Sequence, residues 1–261
     1  MSTRVPATGG TRCWEPAPAR ADMREDEVHV WGADLDRPAW PLAQLARGLS
    51  PDELVRADSF VFPRDRRRFI AARGMLRWLL CGYFDCEPRA LALRDGRNGK
   101  PELATPSGSP PVQFNYSRSQ GGALYAVTRG RQVGVDLEAL RPVPDAEQIA
   151  RRWFSPRERA ALTRLPDEQR DKAFLRAWTS KEAYTKAVGV GIASGLDRIE
   201  VALALDQPPE LRAIDGDPVA AAGWSMPEPP PVPGYAAAVV VEAHSYSLRC
   251  WSLVPRSRHP M

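Results

Sequence analysis

Two helix-start signals of the same design, Ser50-Pro51-Asp52-Glu53 and Ser155-Pro156-Arg157-Glu158, stand 105 residues apart in the chain. In each, a serine offers its hydroxyl as N-cap, a proline takes the first helical position, and a glutamate three residues after the cap can reach back to the cap's amide. The same offset relates Val28 to Val133, Val30 to Val135, Phe69 to Phe174, Ile70 to Leu175 and Ala72 to Ala177. Shared caps and shared apolar positions at one offset point to a duplicated unit of strand, short capped helix and longer helix. The expected fold is therefore α+β, built from two similar α/β halves that meet near the turn at Arg129-Gly130.

The spacing of apolar residues fills in the elements. Val28 to Gly32 reads as a first strand, and Phe69, Ala72, Leu76, Leu79 and Tyr83 recur at helical spacing. Ala123 to Thr128 reads as a strand leading into a second one at Gln132 to Glu138. A helix is expected from about Asp171 to Gly189. Ile199 to Leu203 is a strand, the proline clusters at 208–209 and 227–233 are loops, and Tyr235 to Glu242 with Tyr246 to Val254 are expected to close the chain as a hairpin. Residues 1–26, proline- and glycine-punctuated with little periodicity, are expected to be a disordered tail. The halves are then 27–129 and 130–261.

Composition excludes some classes. With 43% hydrophobic and 26% charged residues over 261 positions, the chain can bury a core and is not a disordered protein. It holds no apolar run near the ~18–20 residues that cross a bilayer and no apolar leader, so no membrane role and a cytoplasmic location are expected. Cys13, Cys81, Cys86 and Cys250 form no CxxC pair, and His29, His244 and His259 are scattered, so neither zinc nor a disulfide framework is expected and the thiols read as reduced and mostly structural. The net charge of +4 and the pI near 9.0 permit polyanionic ligands without choosing among them.

Two segments carry chemistry. In Val133-Gly134-Val135-Asp136-Leu137-Glu138, alternation puts three apolar residues on one strand face and Asp136 and Glu138 on the other. Neighbouring carboxylates repel unless a cation lies between them, and hard oxygen ligands suit Mg2+, which completes its octahedron with water and phosphate oxygens. In the later helix, Trp178, Glu182 and Lys186 follow one another at i,i+4 and share a stripe, with a carboxylate and an ammonium one turn apart.

Gly134-Val135-Asp136-Leu137-Glu138 followed by Trp178-x-x-Lys181-Glu182-Ala183-x-x-Lys186 resembles the paired signature of the 4'-phosphopantetheinyl transferases of the surfactin-synthetase-activating type. The resemblance extends through Phe60 to Asp65, Gly99-Lys100-Pro101, Phe114 to Ser117 and Gly189 to Ile192, about residues 49 to 201. It implies a pseudo-two-fold fold of two halves, the first holding the phosphates of coenzyme A and the second metal-binding and catalytic. It implies Mg2+-dependent transfer of 4'-phosphopantetheine from coenzyme A to a serine of an acyl or peptidyl carrier protein, releasing 3',5'-ADP, by a monomer with no nucleic-acid partner. Residue by residue, it implies metal ligands at Asp136, Glu138 and Glu182 and catalytic roles for Glu182 and Lys186. Contacts to coenzyme A fall on Arg64, Arg68, Lys100, Pro101, Ser117, Arg118 and Lys186. Arg118 departs from the common pattern, which has histidine there; guanidinium keeps a cationic donor at any pH but cannot titrate near neutrality. The competing class is a non-catalytic module that binds a nucleotide or acidic partner through its arginine-rich helix.

Overall fold

The computed structural model describes residues 13–18, 21–96, 100–104, 110–191 and 195–253. In chain order the first part comprises β1 (Glu15–Pro16), β2 (Glu27–Asp34), α1 (Leu42–Arg47), α2 (Pro51–Asp58), α3 (Pro63–Phe84), β3 (Leu93–Asp95), β4 (Pro101–Leu103), β5 (Val112–Ser119) and β6 (Gly122–Arg129). The second comprises β7 (Val133–Ala139), α4 (Ala146–Trp153), α5 (Pro156–Thr163), α6 (Asp167–Val188), β8 (Ile199–Val201), β9 (Leu211–Ile214), α7 (Pro218–Ala222), β10 (Tyr235–Val241) and β11 (Ser247–Leu253).

Both expected caps form in full. Ser50 and Ser155 accept from the amides of Glu53 and Glu158, whose carboxylates return to the serine amides, and each short helix is followed by one of 22 residues, α3 and α6. α6 starts at Asp167, a turn before the expected Asp171, because Pro166 precedes it and Asp167 and Glu168 favour the positive end of the helix dipole. It ends where Gly189 turns left-handed at φ 75°.

One sheet runs in the order β1-β11-β2-β6-β5, while among the described residues β7 pairs only with β10, antiparallel. The expected closing hairpin does not form: β10 lies along β7 and β11 runs parallel to β2. Each strand covers a different open edge, so burying two edges displaces the short local pairing that sequence adjacency suggests. Of the expected tail, residues 1–12 and 19–20 lie outside the described residues. Within its remainder Glu15–Pro16 pair with Trp251 and Ser252, and Met23 is buried in the first core.

Three cores stack the elements into layers. One packs α3 on Trp31, Phe114 and Tyr125 of the larger sheet, with Leu45 of α1 and Ala57 of α2. A middle core joins Val28, Val30, Leu124 and Ala126 of that sheet to Val133, Val135, Leu137, Val239 and Val241 of the β7–β10 pair. A third packs α6 with α4 and α5 onto Ala238 and Val240. The free edge of β7 is met by side chains of β5: Asn115 Oδ1 accepts from Val135 N (2.9 Å) and Ser119 Oγ from Ala139 N (3.1 Å). Otherwise unpaired strand amides are satisfied this way, and the two halves are fixed in register.

Candidate active site

The alternation of β7 turns Gly134, Asp136 and Glu138 away from the middle core and towards α6 and β5. Gly134 is the contact point. A Cβ there would overlap the carbonyl oxygen of Ala183 and press on the amide of Ala187, so its absence lets the α6 backbone sit on the strand. That approach brings Glu182 and Lys186, one turn apart, over Asp136.

Lys186 Nζ donates to Asp136 Oδ1 at 2.5 Å and to Ser117 Oγ at 3.1 Å, and Ser117 Oγ donates to Asp136 Oδ1 at 2.8 Å. Glu138 accepts from Ser119 Oγ at 3.0 Å. Burial, with the nearby charges of Asp136 and Glu138, pushes the Glu182 carboxyl up to about 7, Lys186 opposing. Burial and the Asp136 charge raise Glu138 as well. Asp136 Oδ2 and Glu182 Oε1 are buried with no hydrogen-bond partner among the described residues. Raised carboxyls at Glu138 and Glu182, beside buried oxygens left unmet on Asp136 and Glu182, mark a site short of positive charge. Among the described residues no three of His, Cys, Asp and Glu are gathered closely enough to cage a metal. The two unmet oxygens nevertheless fit Mg2+, which takes one or two protein carboxylates and completes its shell with water and phosphate.

Beside this cluster opens a cleft of about 830 Å3, lined from both halves. Of the residues expected to contact a ligand, Lys100, Pro101, Ser117, Arg118, Glu182 and Lys186 line it; Asp136 lies beneath Ser117 and Lys186. Lys100 Nζ donates to the carbonyl of Ala187 at 3.1 Å, tying the β3–β4 hairpin to α6, and burial lowers its pKa. Its expected neighbour Gly99, like Ile192 at the far end of the matched segment, lies outside the described residues.

Arg64 and Arg68 do not line this cleft. Arg68 is engaged with Asp36, at 2.8 and 2.6 Å, and Arg64 is exposed beside Asp65. The reason is helical phase: Arg64 and Arg68 share one stripe of α3, whereas Arg73, five residues on, is rotated by about 140° and faces the cleft. Arg73, with Arg56 of α2 and Arg94 of β3, adds three cations at the cleft that motif matching does not single out. Arg73 and Arg77 both bind the capping glutamate Glu53, the latter at 2.6 Å. The pairing of Arg73 and Arg77 with Glu53 is visible only in the fold.

Lys181, in the middle of the signature, points the other way. It is fully buried, bonded to Glu158 Oε2 at 2.6 Å and to the carbonyls of Leu196 and Ile199, and it sits over the Phe154 ring. Trp178, the first member of the expected stripe, packs on Phe174 in the third core. At the 105-residue offset, Asp136, Glu182 and Lys186 stand where the first half has Trp31, Arg77 and Cys81. The site is thus made where the duplicated unit has diverged.

Comparison with known proteins defines the class. The profile described as the 4'-phosphopantetheinyl transferase superfamily matches residues 132–240, and that described as 4'-phosphopantetheinyl transferase, N-terminal, matches residues 38–131. The chain is 44% identical to the 4'-phosphopantetheinyl transferase HetI of Nostoc sp., over 91% of this chain and 97% of that protein. It belongs to the 4'-phosphopantetheinyl transferase family. Further relatives are psf-1 of Bacillus pumilus, 30% identical over 67% of this chain and 72% of that protein. The human L-aminoadipate-semialdehyde dehydrogenase-phosphopantetheinyl transferase is 34% identical over 63% of this chain and 55% of that protein. No described helix is long and apolar enough to cross a membrane.

Proposed function

We propose that this chain transfers 4'-phosphopantetheine from coenzyme A to a serine hydroxyl of an acyl or peptidyl carrier protein, releasing 3',5'-ADP, as a monomer in the cytoplasm. The observation that carries this is one cleft lined by six cationic side chains, Arg56, Arg73, Arg94, Lys100, Arg118 and Lys186, and by Glu182, with Asp136 beneath Lys186, each of these two carboxylates keeping an unmet oxygen. A polyphosphate with a bound hard cation satisfies both. In this reading the first half, 27–129, holds the outer phosphates and the second, 130–261, supplies metal and proton chemistry.

Asp136 and Glu182 would hold Mg2+, with Glu138 on its strand side, and the ion when bound would neutralise and orient the pyrophosphate. Lys100, Pro101 and Arg118 line the phosphate path, with Ser117 at its inner end; Arg64 and Arg68 contribute charge from outside the cleft. Phosphoryl-group transfer needs positioning and charge stabilisation more than covalent help. Lys186, held by Asp136 and Ser117, sets an ammonium against the charge that builds on the leaving phosphate. Glu182 receives the proton of the serine on the carboxylate oxygen that it does not give to the cation.

Mass spectrometry of an apo carrier protein incubated with this chain, coenzyme A and Mg2+ tests the proposal. The expected result is a phosphopantetheine adduct on the carrier serine. Tight coenzyme A binding with no adduct on acyl or peptidyl carriers would leave a binding module instead.

A further inference from the structure

Two thiols outside the cleft are placed to react with each other. Cys81 lies in the last turn of α3, and Cys86 follows the helix end, where Asp85 adopts a left-handed φ of 51° and turns the chain back. Their sulfurs are 2.7 Å apart. Arg77, one turn before Cys81, donates to the carbonyls of Pro88 (2.7 Å) and Leu91 (2.8 Å), so the returning segment is gripped against the helix. The pair is therefore held together by contacts that do not depend on the sulfurs. Cys81 is buried and Cys86 is partly exposed; Cys250 is buried and Cys13 is exposed, each on other segments of the chain.

We propose that Cys81 and Cys86 form a modification site, a dithiol that a small-molecule disulfide closes reversibly into an intrachain disulfide. Cys86, the accessible thiol, attacks one sulfur of R–S–S–R, forming Cys86–S–S–R and releasing RSH with the proton of Cys86. Cys81 then attacks Cys86 Sγ, the second RSH leaves with the proton of Cys81, and the protein S–S bond closes. Two protein thiols are oxidised and one disulfide is reduced to two thiols. Burial pushes the Cys81 thiol well up, so it is the poorer thiolate for the first encounter, and it closes the bond through its nearness to Cys86 Sγ. The bond would fix the end of α3 to the connector that leads into the β3–β4 hairpin, whose Arg94 and Lys100 line the cleft.

The full chain, treated with oxidised glutathione, then unfolded in denaturant with iodoacetamide and digested with trypsin, gives the test, because Trp78 to Arg89 is one tryptic peptide holding both thiols. The expected product is that peptide without alkyl groups, lighter than the dithiol by two hydrogen atoms, gaining two alkyl groups after dithiothreitol. Cys86→Ser, at a partly exposed position, should keep the native circular dichroism and leave Cys81 alkylatable. Glutathionylation of exposed Cys13 reports that the oxidant has reacted. If Cys13 is modified while Cys81 and Cys86 are both alkylated, or if Cys86 retains glutathione beside a free Cys81, the proposal is wrong.

Discussion

Gly134 of β7 faces the carbonyl of Ala183 in α6 with no room for a side-chain carbon between them. The separation of helix and strand at this point sets the reach of Lys186 to Asp136. Gly134→Ala must push α6 outwards, because the obstructing atoms are backbone and cannot rotate aside. Overpacking of this kind costs about 1–3 kcal/mol, and here it also opens the site. The variant should melt lower and lose most of its transfer activity even at saturating coenzyme A. Unchanged kcat in a folded Gly134→Ala protein would show that the close approach is not needed.

Glu182 and Glu138 are both raised by burial and by Asp136, yet only Glu182 lines the cleft. Glu182→Gln keeps shape and one oxygen while removing the basic site, so turnover should fall by about 10^2-fold or more. Coenzyme A should still bind, since most cleft cations are elsewhere. Glu138→Gln, anchored to Ser119 at the strand, should be milder. Single-turnover transfer at saturating coenzyme A and Mg2+ ranks the two, and a more damaged Glu138 variant reverses the assignment.

The contrast between residues that were and were not legible follows from the range of the interactions. The two capping boxes, the face of β7 and the Glu182–Lys186 stripe are set within a few residues and can be read from spacing. Whether Arg64 or Arg73 faces a ligand depends on the rotation of α3 against Trp31 and Tyr125, contacts more than 30 residues distant. Pairing of Tyr235–Val241 with β7 rather than with the next strand likewise depends on which sheet edges remain open. The glycine of the signature was visible, but its purpose appears only when α6 is laid upon it.

Lys181 illustrates the same limit inside a motif. A lysine one residue before the proposed base invites a catalytic reading, but 140° of helix rotation from Lys186 puts it beneath the cleft and onto Glu158. Lys181→Met should strand a buried carboxylate and destabilise by about 3–5 kcal/mol. Adding Glu158→Gln should restore part of that loss. Denaturant unfolding of the single and double variants measures it, and a stable Lys181→Met protein with lost turnover would move this lysine into the chemistry.

His29 provides a pH test remote from the site. Its imidazole is buried against Tyr83 (2.8 Å) and Glu27 (3.3 Å), with Arg249 and Asp22 also acting on it, and burial lowers its pKa to about 4. Between that value and 6.5 the unfolded chain binds a proton that the folded chain does not. The contribution of this group to stability should therefore fall as pH drops through this window, by up to about 1.4 kcal/mol per pH unit, against an opposite trend from the raised Glu182 carboxyl. Glu27, whose own pKa is lowered, adds acid sensitivity only below the ordinary carboxylate range. In His29→Asn the slope of stability between pH 6.5 and 5 should flatten; an unchanged slope would mean that His29 is protonated in the folded protein.

Arg118, the position at which the sequence resemblance leads one to expect histidine, is exposed on β5 beside Ser117 and at the wall of the cleft. The next residue along the strand, Ser119, faces β7, so Arg118 points away from the buried cluster and towards the ligand side. Guanidinium groups in general are charged at any working pH, whereas an ordinary imidazole loses its charge near pH 6.5. Arg118→His should leave kcat at saturating coenzyme A nearly unchanged and raise KM for coenzyme A, more at pH 8 than at pH 6. The wild type should show no such pH trend from this position. A comparable fall in kcat at both pH values would instead place Arg118 at the reacting phosphorus, which is incompatible with a side chain that serves only to hold the outer phosphates.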